Sequence, residues 1–136
     1  AYSTFTIIRI IDNRRAELIQ FDNPRVALFR NGKNLDYPVS TREICGKRIL
    51  ESSFPVEEGD VLFAMSDGAI CAGTGLALNH GWTRDSIIEF IEAAYAPDHS
   101  AQYYAGIVAE ACGKLYAGQP GDDATALAVR LRRADP

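Results

Sequence analysis

The chain has 136 residues, 18 acidic against 14 basic, a formal net charge of −4 and a hydrophobic content of 47%. That is enough apolar material for one packed domain or a large part of one, and it excludes a disordered polyelectrolyte. The acidic balance gives no electrostatic case for nucleic acid, and no apolar run approaches the roughly 20 residues of a membrane-spanning helix. The three cysteines, Cys45, Cys71 and Cys112, lack C-x-x-C spacing, and there are only two histidines. A zinc site is therefore not expected, and the odd cysteine count suits a reduced, cytoplasmic setting.

The first half reads as strands. Tyr2 to Ile11 is rich in Thr, Ile and Phe, and Asp12-Asn13-Arg14-Arg15 reads as a turn. A returning strand covers Ala16 to Phe21, and Arg25 to Arg30 follows the Asn23-Pro24 break. Asn31-Gly32 is the strongest hairpin signal, because both residues tolerate positive φ. A further strand is expected from about Asn34 to Val39, then Arg48 to Val56 and Val61 to Met65. Glu57 to Asp60 joins the last two, with Asp60 read as a turn residue. Together these segments predict an antiparallel meander.

The pattern then turns helical. Ile87, Ile88, Ile91, Ala94 and Tyr95 fall at helical spacing, with Thr83 as N-cap and Asp85 in the favourable first turn. Pro97 stops that helix, and Trp82 is expected to anchor it in the core. Ser100 caps a second helix with an apolar face of Tyr104, Ile107, Val108, Ala111 and Leu115, closed by Gly118. The helical insert thus covers about residues 83–118, and Ala124 to Arg132 forms a last, buried strand. The expected class is α+β: a partial antiparallel β-sandwich with a flanking helical pair.

Two acidic motifs carry the chemistry. In Gly59-Asp60-Val61-Leu62-Phe63-Ala64-Met65-Ser66-Asp67-Gly68, Asp67 ends an apolar strand; in Gly121-Asp122-Asp123-Ala124-Thr125, Asp122 precedes one. Strands lying side by side would bring the two carboxylates together, and clustered acid oxygens are what Mg2+ or Mn2+ requires. Taken singly, each Asp is better explained as a turn residue than as a ligand; only the two together favour metal ligation. Other candidates are weaker. His80 and His99 read as surface residues, Ala72-Gly73-Thr74-Gly75 lacks the Lys-Ser/Thr of a phosphate loop, and Ser66 lacks a G-x-S-x-G context.

Ser66-Asp67-Gly68, Asp122-Asp123-Ala124-Thr125 and the stretch Phe21 to Lys33 occur in an order that resembles the metal-dependent serine/threonine protein phosphatases of the PPM superfamily. The bacterial branch typified by stage II sporulation protein E is the nearer likeness. The resemblance implies Asp67 and Asp122 as ligands of two Mn2+ or Mg2+ ions, with Asp123, Gly68 and Thr125 supporting them, the Thr125 hydroxyl bonding the Asp122 turn. It implies hydrolysis of phosphoserine or phosphothreonine by a metal-activated bridging water. The implied substrate is a phosphorylated bacterial signalling protein of the anti-anti-sigma kind. Two earlier acidic motifs of that family, a Gly-Asp strand and an Asp-Gly-x-Gly turn, have no counterpart in this sequence. Residues 1–136 are therefore expected to be the C-terminal portion of a catalytic domain, inactive alone. The alternative is a non-catalytic, phosphatase-like regulatory or protein-binding module.

Overall fold

The structure, a computed structural model, describes residues 3–72, 81–116 and 124–132. Its strands are β1 (Phe5–Ile11), β2 (Arg15–Phe21), β3 (Ala27–Arg30), β4 (Lys33–Leu35), β5 (Ser40–Ile44), β6 (Lys47–Pro55), β7 (Val61–Met65) and β8 (Ala126–Arg130). Its helices are α1 (Asp67–Ile70), α2 (Arg84–Ala93) and α3 (Ala101–Leu115). The strands make two antiparallel four-stranded sheets, ordered β1-β2-β6-β5 and β4-β3-β7-β8.

The expected meander is corrected here: the chain leaves one sheet for the other after β2, after β4 and after β6. Apolar alternation reports that a strand has a buried face, but not which sheet it joins. The strand expected over 34–39 is likewise displaced. Residues 36–39 cross between sheets, and β5 lies beyond them with all five residues exposed. With no buried face, β5 has no apolar alternation to betray it; its turn into β6, Cys45-Gly46, has φ of 52° and 76°. The Asn31-Gly32 hairpin forms as expected, with φ of 51° and 79° and Arg30 opposite Lys33. A Cβ on Gly32 would lie 2.5 Å from the Tyr95 ring, so this turn admits only glycine.

Two cores result. Between the sheets lie Leu18, Val26, Leu28, Phe54, Leu62 and Ala64, with Tyr37 stacked on Phe54 at 4.5 Å. On the far side of the second sheet, Phe29, Phe63 and Met65 pack against Ile87, Ile91 and Val108 of the helices. Strand β7 serves both, which is why all five of its residues are buried and apolar. The α+β layering is thus sheet, sheet, helices. Strand β8, expected to be buried, is an edge strand among the described residues; Leu127 is 52% exposed.

The helix signals hold because they are local. Thr83 Oγ accepts from Ser86 N at 3.3 Å, and Ser100 Oγ accepts from Tyr103 N at 3.2 Å. Such caps each contribute about 1 kcal/mol. Trp82 is only partly buried, edge-on to Phe90 at 5.1 Å. No helix among the described residues is long and apolar enough to cross a membrane.

Asp60 is more than a turn residue. It is 1% exposed, its two carboxylate oxygens accept from Arg30 Nε at 3.0 Å and Nη2 at 2.9 Å, and one also accepts from Glu57 N at 2.8 Å. Its hydrogen bond raises the Arg30 pKa. The carbonyl of Asp60 accepts from Leu131 N at 2.9 Å, so this residue ties β3, the β6–β7 turn and the end of β8 together. Arg30 is partly exposed and also meets Glu57 at 3.4 Å, so losing the Asp60 charge weakens its charge-assisted hydrogen bonds without leaving it unpaired. Asp60→Asn is expected to destabilise the fold by about 2 kcal/mol, read as a lower denaturation midpoint in urea with an unchanged slope.

Candidate metal-site region at the β7–β8 end

Strands β7 and β8 pair antiparallel, with Val61 opposite Arg130 and Met65 opposite Ala126. The C-terminal end of β7 therefore lies beside the N-terminal start of β8. Beyond the last ladder pair the chains remain joined: Ser66 N donates to Thr125 O at 3.0 Å, and Thr125 N donates to Ser66 Oγ at 2.8 Å. The backbone of Thr125 makes this contact, to the amide and hydroxyl of Ser66; the bond expected from its own hydroxyl to the Asp122 turn involves a residue outside the described ones. Ser66, unremarkable as a nucleophile, is the clamp between the two motifs.

Asp67 follows as the first residue of α1. A single helical turn forms because Ala69 N and Cys71 N return to Ser66 O and Asp67 O at 3.0 and 2.9 Å. Tyr116, at the end of α3, donates its hydroxyl to Gly68 O at 2.7 Å, and Gly68 and Ala69 are buried. The backbone around Asp67 is thus fixed from β8, from α1 itself and from α3. Its side chain is exposed and makes no hydrogen bond or ion pair with any described residue. A hard-oxygen donor on a fixed backbone, with its lone pairs uncommitted, suits Mg2+ or Mn2+. One such donor is not a site, and no group of three or more His, Cys, Asp or Glu lies together among the described residues.

Asp122 and Asp123 lie outside the described residues, as do His80, Gly118 and the Gly73-Thr74-Gly75 run. In sequence, Asp123 and Asp122 immediately precede Ala124, next to the clamped Thr125. His99 lies elsewhere, at the opposite end of β7. Its ring stacks on Tyr103 at 3.8 Å, its Nδ1 is 2.9 Å from Ala94 O and its carbonyl accepts from Arg130 at 2.6 Å. These are structural contacts. Cys112 is buried against Ala69, and burial pushes its thiol pKa up, which disfavours a nucleophilic thiolate.

Sequence reasoning missed the neighbours of Asp67 across the sandwich. Continuing the β3–β7 register, with Ala27 opposite Phe63, brings the Asp22-Asn23-Pro24 crossover level with Asp67. A groove of about 410 Å³ at this end is lined by Asp22, Asn23, Arg48, Leu50, Asp67 and Ile70. The Asn23-Pro24 break was a visible turn signal, but nothing local in the sequence links it or Arg48 to Asp67.

Ser66→Ala removes the Thr125 N–Ser66 Oγ hydrogen bond and is expected to cost about 1 kcal/mol of stability. Hydrogen exchange should localise the loss, with faster exchange at Thr125 N and protection of the central β7 amides unchanged.

The SpoIIE family, Stage II sporulation protein E, matches residues 1–132 of the chain. The fold is similar to the phosphatase domain of the cell fate determinant SpoIIE from Bacillus subtilis at 21% identity, with a TM-score of 0.77 over 99% of this chain and 61% of that one. The Mn-presoaked structure of the same domain gives 0.80 at 21% identity, covering 99% of this chain and 59% of that one. PppA, a key regulatory component of T6SS in Pseudomonas aeruginosa, gives 0.63 at 18% identity, over 93% of this chain and 56% of that one. The chain thus spans about three fifths of the SpoIIE domains it matches. A search of curated proteins finds no significant match. With two antiparallel sheets and a helical pair layered as in the SpoIIE domain structures it is similar to, the chain belongs to the SpoIIE family.

Proposed function

We propose that this chain is the C-terminal portion of a metal-dependent phosphatase domain that hydrolyses phosphoserine or phosphothreonine on a bacterial signalling protein, an anti-anti-sigma-like protein being the expected kind. The single observation that carries the reading is the β7–β8 pairing closed by the Ser66–Thr125 clamp. It sets an uncommitted carboxylate, Asp67, beside the strand whose preceding residues in sequence are Asp122 and Asp123. The family membership and the Mn-presoaked relative support the same assignment.

In this reading Asp67 and Asp122 hold Mn2+ or Mg2+, and Asp123, Gly68 and Thr125 support them. Gly68 does so by accepting the Tyr116 hydroxyl, which fixes the turn that presents Asp67. Thr125 does so through the backbone hydrogen bonds to Ser66. When bound, the ions supply Lewis acidity that lowers the pKa of water and offsets charge on the phosphoryl oxygens. The protein's own part is to present the carboxylates at fixed positions and to keep the site open to a protein-borne phosphate. No side-chain nucleophile is required, in keeping with the buried, pKa-raised Cys112.

The other ligands and the rest of the fold come, in this proposal, from the remainder of the domain. The outer face of the first sheet exposes Phe5, Ile7 and Ile19 at 38%, 53% and 38%, whereas the helices cover the outer face of the second. A covering layer over that apolar face would complete the domain. A second reading, a non-catalytic phosphatase-like module, draws on the shortage of clustered ligand residues among those described.

Residues 1–136 alone are expected to show no Mn2+-dependent hydrolysis of p-nitrophenyl phosphate; robust turnover by this chain would refute the partial-site reading. In the complete domain, Asp67→Asn or Asp122→Asn should abolish turnover while the circular dichroism spectrum stays native. The rise in melting temperature on adding saturating Mn2+ should shrink in the same variants, because metal bound only by the folded state stabilises it by mass action. If both variants keep normal turnover and a normal Mn2+ shift, these residues are not the ligands. A complete wild-type domain with neither activity nor a Mn2+ shift would favour the non-catalytic module.

A further inference from the structure

The groove beside Asp67 contains a cation, Arg48, with no partner among the described residues. In β6, Leu50 stands opposite Gln20, so Arg48, two residues earlier, lies on the same face of the sheet and points toward the inter-sheet end where Asp67 sits. Its neighbour Lys47 takes the other face, with its ammonium 5.3 Å from the Phe21 ring centroid. Arg25 and Arg84, also near the β2–β3 crossover, are engaged. The Arg25 guanidinium lies over the Tyr37 ring at 5.1 Å, and Arg84 donates to the carbonyls of Arg25 and Val26 at 2.9 and 3.5 Å. Arg48 is exposed and makes no hydrogen bond or ion pair with any described residue, including Asp22 and Asp67, with which it shares the groove.

We propose that Arg48 is the residue that binds the phosphate monoester of the substrate, its guanidinium fork gripping two phosphoryl oxygens at the mouth of the Asp67 groove. The inference rests on the phosphatase reading above and adds a substrate-binding residue to it. Among the described lining residues, two carboxylates, Asp22 and Asp67, repel a phosphate dianion, and Arg48 is the one permanent positive charge that attracts it. A guanidinium is always ionised and matches phosphate in a bidentate geometry that an ammonium cannot reproduce. The groove reaches from Arg48 on β6 of the first sheet to Asp67, which opens α1 just beyond β7 of the second. Closure of the sandwich thereby brings a phosphate-binding cation and a metal-binding carboxylate to one place.

The test uses the complete domain loaded with Mn2+, with p-nitrophenyl phosphate as substrate and inorganic phosphate as the ligand in calorimetry. Loss of charge-assisted hydrogen bonds of this kind predicts that Arg48→Ala raises both the KM and the phosphate Kd by roughly ten- to hundred-fold, with a smaller change in kcat. Arg48→Lys should recover part of that affinity. Melting temperature and Mn2+ affinity should stay at the wild-type level, since the side chain is exposed. Unchanged KM and phosphate Kd in Arg48→Ala would overturn the proposal. So would weaker binding of an acidic phosphoprotein with small-ester and phosphate binding intact, because Arg48 would then read flanking acidic residues. A wild-type domain that binds phosphate through Arg48 but hydrolyses nothing would sink the catalytic reading and leave this one standing. A wild-type domain that binds no phosphate would sink this one.

Discussion

Strand β7 is the constraint on which the rest of the molecule depends. Leu62 and Ala64 close the core between the sheets, while Val61, Phe63 and Met65 close the core beneath the helices. Five consecutive residues buried on two faces leave no room for register error: a shift by one position would exchange the two cores and put Phe63, which is 0% exposed, where Leu62 now fits. Neighbouring β3 and β8 are then held in place by the ladder. A rigid central strand therefore fixes the positions of both its ends.

Those two ends are used in opposite ways. At the start, Asp60 is buried, paired with Arg30 and bonded to the Glu57 amide, so its carboxylate is consumed by structure. At the finish, Asp67 is exposed with a side chain uncommitted among the described residues, and the surrounding hydrogen bonds go instead to Ser66, through its amide and hydroxyl, and to the backbone of Gly68 and Thr125. The first arrangement is costly to disturb and has no capacity left for a ligand. The second holds a carboxylate in place without saturating it, as ligand binding requires. Two aspartates seven positions apart in one motif thus divide anchoring and presentation between them.

How much of this was legible in the sequence depended on range. The caps at Thr83 and Ser100 and the Asn31-Gly32 turn are decided within a few residues, and each formed as expected. The apolar run of β7 was visible because double burial erases alternation. Strand β5 was invisible because all its residues are exposed, and sheet membership was invisible because crossing between sheets leaves no periodic mark. Asp60 was misjudged because turn chemistry and burial call for the same residue, and its Arg30 partner lies thirty positions away. In the candidate site, the position of Asp67 at the end of β7 could be read directly, whereas Ser66 and Arg48 acquire meaning only from partners on other strands.

The electrostatics of the Asp67 end follow from that geometry. An exposed carboxylate is screened by water, and alone it binds a divalent cation weakly; affinity comes from bringing several together. Carboxylates brought together repel one another, so the backbone that carries one is best held by uncharged neighbours. The Ser66–Thr125 hydrogen bonds and the Tyr116–Gly68 bond supply that hold with neutral groups, which neither compete for the cation nor add charge. A salt bridge at the same place would have neutralised Asp67. Arg48 lines the same groove yet forms no ion pair with Asp67, so among the described residues a carboxylate and a guanidinium stand side by side there with neither neutralised by the other.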